Sequence, residues 1–267
     1  MLVLLVGKDR MTVELEPLLA LCAFAFLAGG IDAVVGGGGL VQLPALFVLL
    51  PEARAASLLG TNKLSSIFGT ATAAVTYSRL TRVDWRTAAP AAAAAFLASA
   101  AGARTADLVD EQVLRVLVLV LSVAVAVYTL ASRRLGEVER LRWGRPVQTA
   151  LAVVIGMVIG FYDGVFGPGT GSFLVFALVG LVGLSFLHAS ASAKVINTAT
   201  NAAALVYFAA TGSVLWAYGL PMAAANVAGS VVGARLAVRL GSGFVRGVFL
   251  VVLTGLIGRL AYDLLTA

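Results

Sequence analysis

The amino-acid sequence repeats itself at a spacing of 131 residues, which is the separation between Asp32 and Asp163. The same spacing joins Gly29 to Gly160, Gly36 to Gly167, Gly38 to Gly169, Lys63 to Lys194, Trp85 to Trp216, Pro90 to Pro221, Ser99 to Ser230, Gly102 to Gly233, Arg104 to Arg235 and Arg115 to Arg246. Because Asp, Lys, Trp, Pro and Arg are scarce in this chain, shared composition does not explain these matches. The sequence therefore predicts two related halves.

Each half is built from five apolar stretches, the second of them short. They run over 17–35, 40–50, 53–77, 88–103 and 113–131, and over 147–166, 173–187, 189–210, 217–234 and 244–265. With 60% hydrophobic and 12% charged residues, the chain departs from a soluble domain, which averages about 45–50% apolar and about 25% charged residues. These values exclude disorder and a water-soluble fold. They predict an all-α polytopic membrane protein with about eight to ten membrane elements.

Arginine positions predict how the two halves are oriented. We divide the chain into an N-terminal segment (1–16), a first repeat (17–132), a cytoplasmic linker (133–146) and a second repeat (147–265), which form one transport domain. If the short second elements cross the membrane, the repeats are inverted, and Arg235, Arg239 and Arg246 lie in the cytoplasm with the linker arginines. If they do not cross, the repeats are parallel and these arginines fall outside. The positive-inside rule favours two inverted repeats of about five elements each.

Four charged residues lie inside apolar stretches: Asp32, Lys63, Asp163 and Lys194. An ionised side chain at the centre of a bilayer costs about 2.5–3.5 kcal/mol, so such residues usually face a cavity or a partner. They form one Asp/Lys set in each half. The lysines are candidate substrate-binding residues. The aspartates bind a proton or hold a charge in place, and a buried salt bridge or a helix cap is the structural alternative.

A glycine-rich segment surrounds each aspartate, at 29–40 and 160–171. Glycine and Pro168 disfavour a continuous helix, so both helices are predicted to break there. Paired broken helices at matching positions are typical of the binding site of a transporter, although glycines also allow close helix packing. New helices beginning near Leu40 and Ser172 would present free N–H groups to an anion. The candidate binding residues here are Gly37, Gly38, Gly39, Gly169, Thr170 and Gly171.

A polar stripe follows in each half, because Lys63, Ser66 and Thr70 share one helical face. Lys194, Asn197 and Asn201 occupy the equivalent positions, and Asn62 adds a further donor. Such residues also hold membrane helices together by hydrogen bonds. A cation surrounded by hydroxyl and amide donors nevertheless favours negatively charged cargo.

Several functional classes lack the residues that they require. Cys22 is the only cysteine and His188 the only histidine, so no disulfide, metal site or cofactor is expected, and an enzyme would lack a nucleophile paired with a base. The glycines are not followed by the Gly-Lys-Ser/Thr of a nucleotide-binding loop. The basic residues lie between apolar stretches, which disfavours nucleic acid as a partner.

Four motifs in order resemble the sulfite exporter TauE/SafE family, also called the toluene sulfonate uptake permease family. They are the glycine-rich motif at 30–39, Gly-Thr-Asn-Lys at 60–63, the second glycine-rich motif at 160–171 and Ala-Ser-Ala-Lys-x-x-Asn at 191–197. The resemblance spans 17–265, and it is greatest to a branch of membrane transporters with mostly unassigned substrates. It implies movement of sulfite, a sulfonate or another small sulfur-containing or organic anion across the bacterial inner membrane.

The predicted function is that of a secondary transporter, specifically an exporter, of a small anion, with protons as a candidate coupling ion. Two alternatives remain open. One is an anion channel or uniporter without proton coupling. The other is a cation carrier that uses Asp32 and Asp163 as ligands, in which Lys63→Ala would leave transport intact.

Overall fold

The computed structural model describes residues 13–80, 83–106, 108, 141, 143–184 and 186–240. Every regular element in these ranges is a helix: α1 Leu15–Val35, α2 Gly39–Leu49, α3 Ala55–Leu80, α4 Trp85–Ala106, α5 Arg145–Val165, α6 Thr170–Ala177, a π-helical turn Leu178–Val182, α7 Phe186–Ala210 and α8 Trp216–Leu240. The expected all-α class is confirmed. The predicted fifth stretches, 113–131 and 244–265, lie outside the described residues.

The helix starts follow the spacing of the sequence repeat. Helix α2 begins at Gly39 and α6 at Thr170, α3 at Ala55 and α7 at Phe186, and α4 at Trp85 and α8 at Trp216, each pair 131 residues apart. Helix α2 has 11 residues, which makes it about 16 Å long. That length is about half of a bilayer core of about 30 Å.

The helices of the two halves pack against each other in an exchanged pattern. Helix α1 of the first half packs on α8 of the second, and α5 of the second half packs on α4 of the first. Helices α3 and α7 contact each other, and each also contacts the fourth helix of the opposite half. The polar stripes on α3 and α7 therefore lie where the halves meet.

Small residues permit the close contact between α1 and α8. A methyl group added at Gly233 would overlap the backbone of Gly30, and one added at Gly229 would overlap the backbone of Phe26. Gly30 belongs to the first glycine-rich segment, 29–40, yet it lies inside α1. Close glycine packing, the alternative to a broken helix, is thus observed for Gly30 inside α1 and also for Gly36 just beyond its end.

Burial is inverted relative to a soluble protein. Lys63 and Lys194 are among the largest fully buried side chains, whereas Leu97 is 71% exposed and Val158 66% exposed. A polar interior and an apolar exterior fit a chain whose surroundings are lipid. By length and composition, Leu15–Val34 and Arg145–Val165 are the two described helices apolar enough to cross a membrane.

Hydroxyl groups on α3 are satisfied by the helix itself. The Oγ1 atoms of Thr61, Thr72 and Thr76 donate to carbonyl oxygens four residues earlier, at 2.6, 2.7 and 2.8 Å. These bonds remove the cost of placing a hydroxyl in an apolar environment. The helix therefore carries these three threonine hydroxyls without leaving them unsatisfied.

Candidate functional site

The glycine-rich segments separate consecutive helices in both halves. Helix α1 ends at Val35, where Gly36 has a φ of +82° and its N–H donates to the carbonyl of Asp32 at 2.9 Å. Helix α5 ends at Val165, and Gly167 and Gly169 have φ values of +89° and +77°. Such left-handed conformations are readily adopted only by glycine. The glycines thus set the points at which the chain leaves one helix and enters the next.

The two glycine-rich segments touch each other. The N–H of Ser172 donates to the carbonyl oxygen of Gly36 at 3.0 Å. A methyl group at Gly36 would overlap the backbone of Gly171, and one at Gly171 would lie 2.5 Å from the carbonyl oxygen of Gly36. One of the helix N-terminal amides expected to face an anion is therefore used in holding the halves together.

The four membrane charges pair across the halves rather than within them. Lys63 Nζ lies 2.8 Å from Asp163 Oδ2, and Lys194 Nζ lies 2.8 Å from Asp32 Oδ2. The sequence grouped each lysine with the aspartate of its own half, and the structure replaces that grouping with two cross-half ion pairs. Each buried charge thereby gains a counter-ion, which is how such charges are tolerated in an apolar interior.

The two ion pairs differ in their surroundings. Lys194 Nζ donates to both the carbonyl and the carboxylate of Asp32. Among the described residues, Lys63 Nζ is paired only with the Asp163 carboxylate. Thr170 Oγ1 donates to the other oxygen of that carboxylate at 2.6 Å. The ammonium group of Lys63 therefore retains N–H groups that can donate hydrogen bonds to an additional anion.

A cavity of about 20 Å³ lies between the glycine-rich segments and helices α3 and α7. It is lined by thirteen of the fifteen candidate residues, namely Asp32, Gly38, Gly39, Asn62, Lys63, Ser66, Thr70, Asp163, Gly169, Thr170, Gly171, Asn197 and Asn201. Gly37 and Lys194 do not line it. The structure thus brings most of the candidates to one place and puts Lys63, but not Lys194, on the cavity wall.

The lining side chains differ in whether their hydrogen-bond donors are already used. Asn197 accepts at its Oδ1 from Thr200 at 3.3 Å and from Asn201 at 3.4 Å, which leaves its amide N–H groups available. Thr70 differs, because its hydroxyl donates to the carbonyls of Ser66 and Ile67. The wall therefore combines amide donors with the Lys63 ammonium.

Sequence reasoning missed three lining residues: Gly36, Gly167 and Asn226. Gly36 and Gly167 lie in the glycine-rich segments and were paired by the repeat. Asn226 has no polar counterpart, since the position 131 residues earlier is Ala95. A search for repeated polar residues passes over it, and only its isolation in an alanine-rich helix marks it.

Comparison with known proteins identifies the family. The profile of the sulfite exporter TauE/SafE family matches residues 21–260. The chain belongs to this family. The resemblance expected from the motifs is confirmed. No solved structure matches the chain.

Curated relatives cover nearly the whole chain. The probable membrane transporter protein ORF9 of Sinorhizobium is 36% identical over 240 residues, which is 90% of each chain. The probable membrane transporter protein YfcA of Escherichia coli K12 is 35% identical over 241 residues, 90% of this chain and 87% of the relative. A probable membrane transporter protein of Haemophilus influenzae is 32% identical over 254 residues, 95% and 98% of the two chains. The membrane and transport assignments of this TauE/SafE member are thereby confirmed.

Proposed function

We propose that this protein is a secondary transporter that exports a small anion, such as sulfite or a sulfonate, across the bacterial inner membrane. The observation that carries the proposal is the wall of the buried cavity. Lys63 supplies a cation that has N–H donors beyond those used by Asp163, and Asn197, which lines the same space, has its amide N–H groups left unused. Donors surrounding a buried cation bind an anion better than any other small ligand.

The proposed transport cycle requires the cavity to open. About 20 Å³ is roughly the room that one water molecule needs, so an anion such as sulfite does not fit without movement of the walls. We assign the movement to two inverted repeats that exchange conformations around the broken helices. The contacts between halves, including the Ser172 to Gly36 hydrogen bond, are the ones that would rearrange.

Charge balance supports coupling to protons. Asp32, Asp163, Lys63 and Lys194 together carry no net charge when all are ionised. A monoanion entering this set leaves one negative charge unbalanced in an apolar interior, which is costly. Protonation of one aspartate restores neutrality. We assign the proton to Asp32, whose side chain is 12% exposed compared with 2% for Asp163.

The observed pairing disfavours a cation carrier. Such a carrier would use the two aspartates as ligands for the transported ion. In the structure, the Nζ atoms of Lys63 and Lys194 lie 2.8 Å from the carboxylates of Asp163 and Asp32. A cation would have to displace a buried ammonium group at each site, leaving that group without its counter-ion.

A flux screen in proteoliposomes tests the function. We expect saturable uptake of sulfite or a sulfonate, measured beside thiosulfate, sulfate and small carboxylates, with sodium and potassium as cation controls. Substrate preloaded inside the vesicles should accelerate uptake, because a carrier exchanges its substrate and an open channel does not. Equal flux in protein-free liposomes for every anion would overturn the proposal, and flux without acceleration by preloading would indicate a channel.

The proton assignment predicts a separable defect in Asp32→Asn. Lys194 loses its counter-ion but keeps two oxygen acceptors, the backbone carbonyl of residue 32 and the oxygen of the new amide, so we expect exchange of anions to persist at a rate reduced by up to about tenfold. Accumulation driven by an imposed pH gradient should be lost, because the amide does not take up a proton. Gradient-driven accumulation at the wild-type level would contradict the assignment. Asp163→Asn is the matched control, expected to retain the response to the pH gradient.

A further inference from the structure

A buried polar network behind the cavity wall is centred on Gln42 of α2. This side chain is 0% exposed, and Gln42 is not among the lining residues. Its Nε2 atom donates to Asn62 Oδ1 at 3.0 Å and to the carbonyl of Asn62 at 3.4 Å. Its Oε1 atom accepts from Ser65 Oγ at 3.0 Å and from Asn226 Nδ2 at 2.9 Å. Gln42 thus contacts two residues of the cavity wall at once.

The polarity of this network is fixed by one backbone group. The carbonyl of Asn62 only accepts hydrogen bonds, so the Gln42 atom beside it is the amide nitrogen. The same nitrogen then donates to Asn62 Oδ1, and Gln42 Oε1 is left to accept from Ser65 and Asn226. The side-chain oxygen of Asn62 is therefore occupied behind the wall. Its two N–H donors remain, and among the described residues they have no recorded acceptor.

The network joins Gln42, Asn62 and Ser65 of the first half to Asn226 of the second, and the repeat-related positions hold no equivalent network. The positions 131 residues from Gln42, Asn62, Ser65 and Asn226 are Phe173, Ala193, Ile196 and Ala95. All four counterparts are apolar. The asymmetry agrees with that of the lysines, because Lys63 lies on the same helix as Asn62 and lines the cavity, while Lys194 does not. The Lys63 ammonium and the Asn62 carboxamide thus lie together on the α3 side of the cavity.

We infer that Gln42 is a positioning residue for the transported anion: it holds the Asn62 carboxamide with its N–H donors directed at the cavity, beside Lys63. The inference rests on the proposed transport of an anion. In this role Gln42 does not contact the substrate but controls the affinity of the site for the anion. An acceptor at position 42 would reverse the Asn62 carboxamide and present an oxygen to the anion.

The test compares Gln42→Glu with Gln42→Leu and with a control, Leu43→Met, in proteoliposome uptake of the anion that the wild type transports best. Glutamate keeps the shape of glutamine but, when ionised, only accepts hydrogen bonds. We expect Gln42→Glu and Gln42→Leu to raise KM by about tenfold or more, in line with a lost hydrogen bond to a charged group. Vmax should stay within about threefold of wild type. Leu43→Met, a volume-conserving change at a buried neighbour, should leave both constants near wild type.

A second pair of variants separates positioning from packing. Asn62→Asp removes the N–H donors directly and should raise KM as Gln42→Glu does, and adding Gln42→Glu to Asn62→Asp should raise KM by less than the product of the two single effects. Wild-type KM in Gln42→Glu and Gln42→Leu, with anion transport intact, would overturn the inference and leave the proposed function standing. A wild-type protein that transports no anion would overturn both. A fall in Vmax with unchanged KM in the Gln42 variants would mean that the network serves only to stabilise α2. That result would also overturn the inference.

Discussion

Replacement of Lys63 by methionine, together with Asp163→Asn, is expected to reduce anion exchange by about 100-fold or more. Methionine keeps much of the length of lysine but removes the only cation on the cavity wall within the described residues. An uncompensated buried charge costs about 3–5 kcal/mol, and each factor of ten corresponds to about 1.4 kcal/mol. The second substitution removes the negative charge that would otherwise be left buried without a counter-ion. Exchange in proteoliposomes measures the effect.

The equivalent double variant on the other side is the control. Lys194→Met with Asp32→Asn removes an ion pair of the same type, at the same distance of 2.8 Å, but Lys194 does not line the cavity. Exchange does not require a coupled proton, so we expect it to fall by less than about tenfold. Equal losses in the two double variants would show that both lysines meet the anion, which would contradict the assignment of the binding side. Normal exchange in the Lys63 variant would contradict the anion site itself.

Gly36→Ala is expected to lower the stability of the folded protein by about 3 kcal/mol or more. Its φ of +82° disfavours a side chain, and the added methyl group would overlap the backbone of Gly171. A left-handed conformation costs a non-glycine residue about 1–2 kcal/mol, and overpacking adds about 1–3 kcal/mol. The overlap is with backbone atoms of Gly171 and Ser172, so it cannot be relieved by rotation of a side chain. The thermal unfolding midpoint in detergent measures the loss, expected at about 6–12 °C.

Gly180→Ala is the matched substitution. Among the described residues, no atom lies within 4 Å of a methyl group added at Gly180. We expect a change of less than about 1 kcal/mol, in either direction, because only helix propensity is altered. Equal shifts in the unfolding midpoint of the two variants would show that the contact between the glycine-rich segments contributes nothing specific.

Much of the candidate site follows from scarcity in the sequence. Asp32, Lys63 and Asp163 are among the few charged residues in apolar stretches. Because burying a charge is costly, such residues are expected to have a partner or to face a cavity. In the structure, all three line the cavity and each has a counter-ion. The glycine-rich segments marked the helix ends for the same type of reason, since Gly36 and Gly167 adopt backbone conformations that other residues avoid.

The sequence does not predict which lysine pairs with which aspartate. The repeat makes pairing within one half and pairing between the halves equivalent. Asp32 and Lys63 are separated by the same number of residues as Asp163 and Lys194, so spacing alone does not indicate whether partners come from one half or two. The sequence does not predict the network of Gln42 because its members are not repeated. Its members have apolar counterparts, and a comparison of the halves selects residues that are repeated. Tertiary packing, rather than any local pattern, brings them together.

The cross-half ion pairs impose an order on the biogenesis of this protein. Asp32 is synthesised 162 residues before Lys194, and Lys63 precedes Asp163 in the same way. The first half is thus complete before the ribosome has made the counter-ion of either of its two buried charges. Until the second half arrives, those charges have only each other, the translocation machinery or water as partners. The second half therefore supplies both counter-ions of the first, and a chain interrupted between the halves lacks the partners that Asp32 and Lys63 have in the structure.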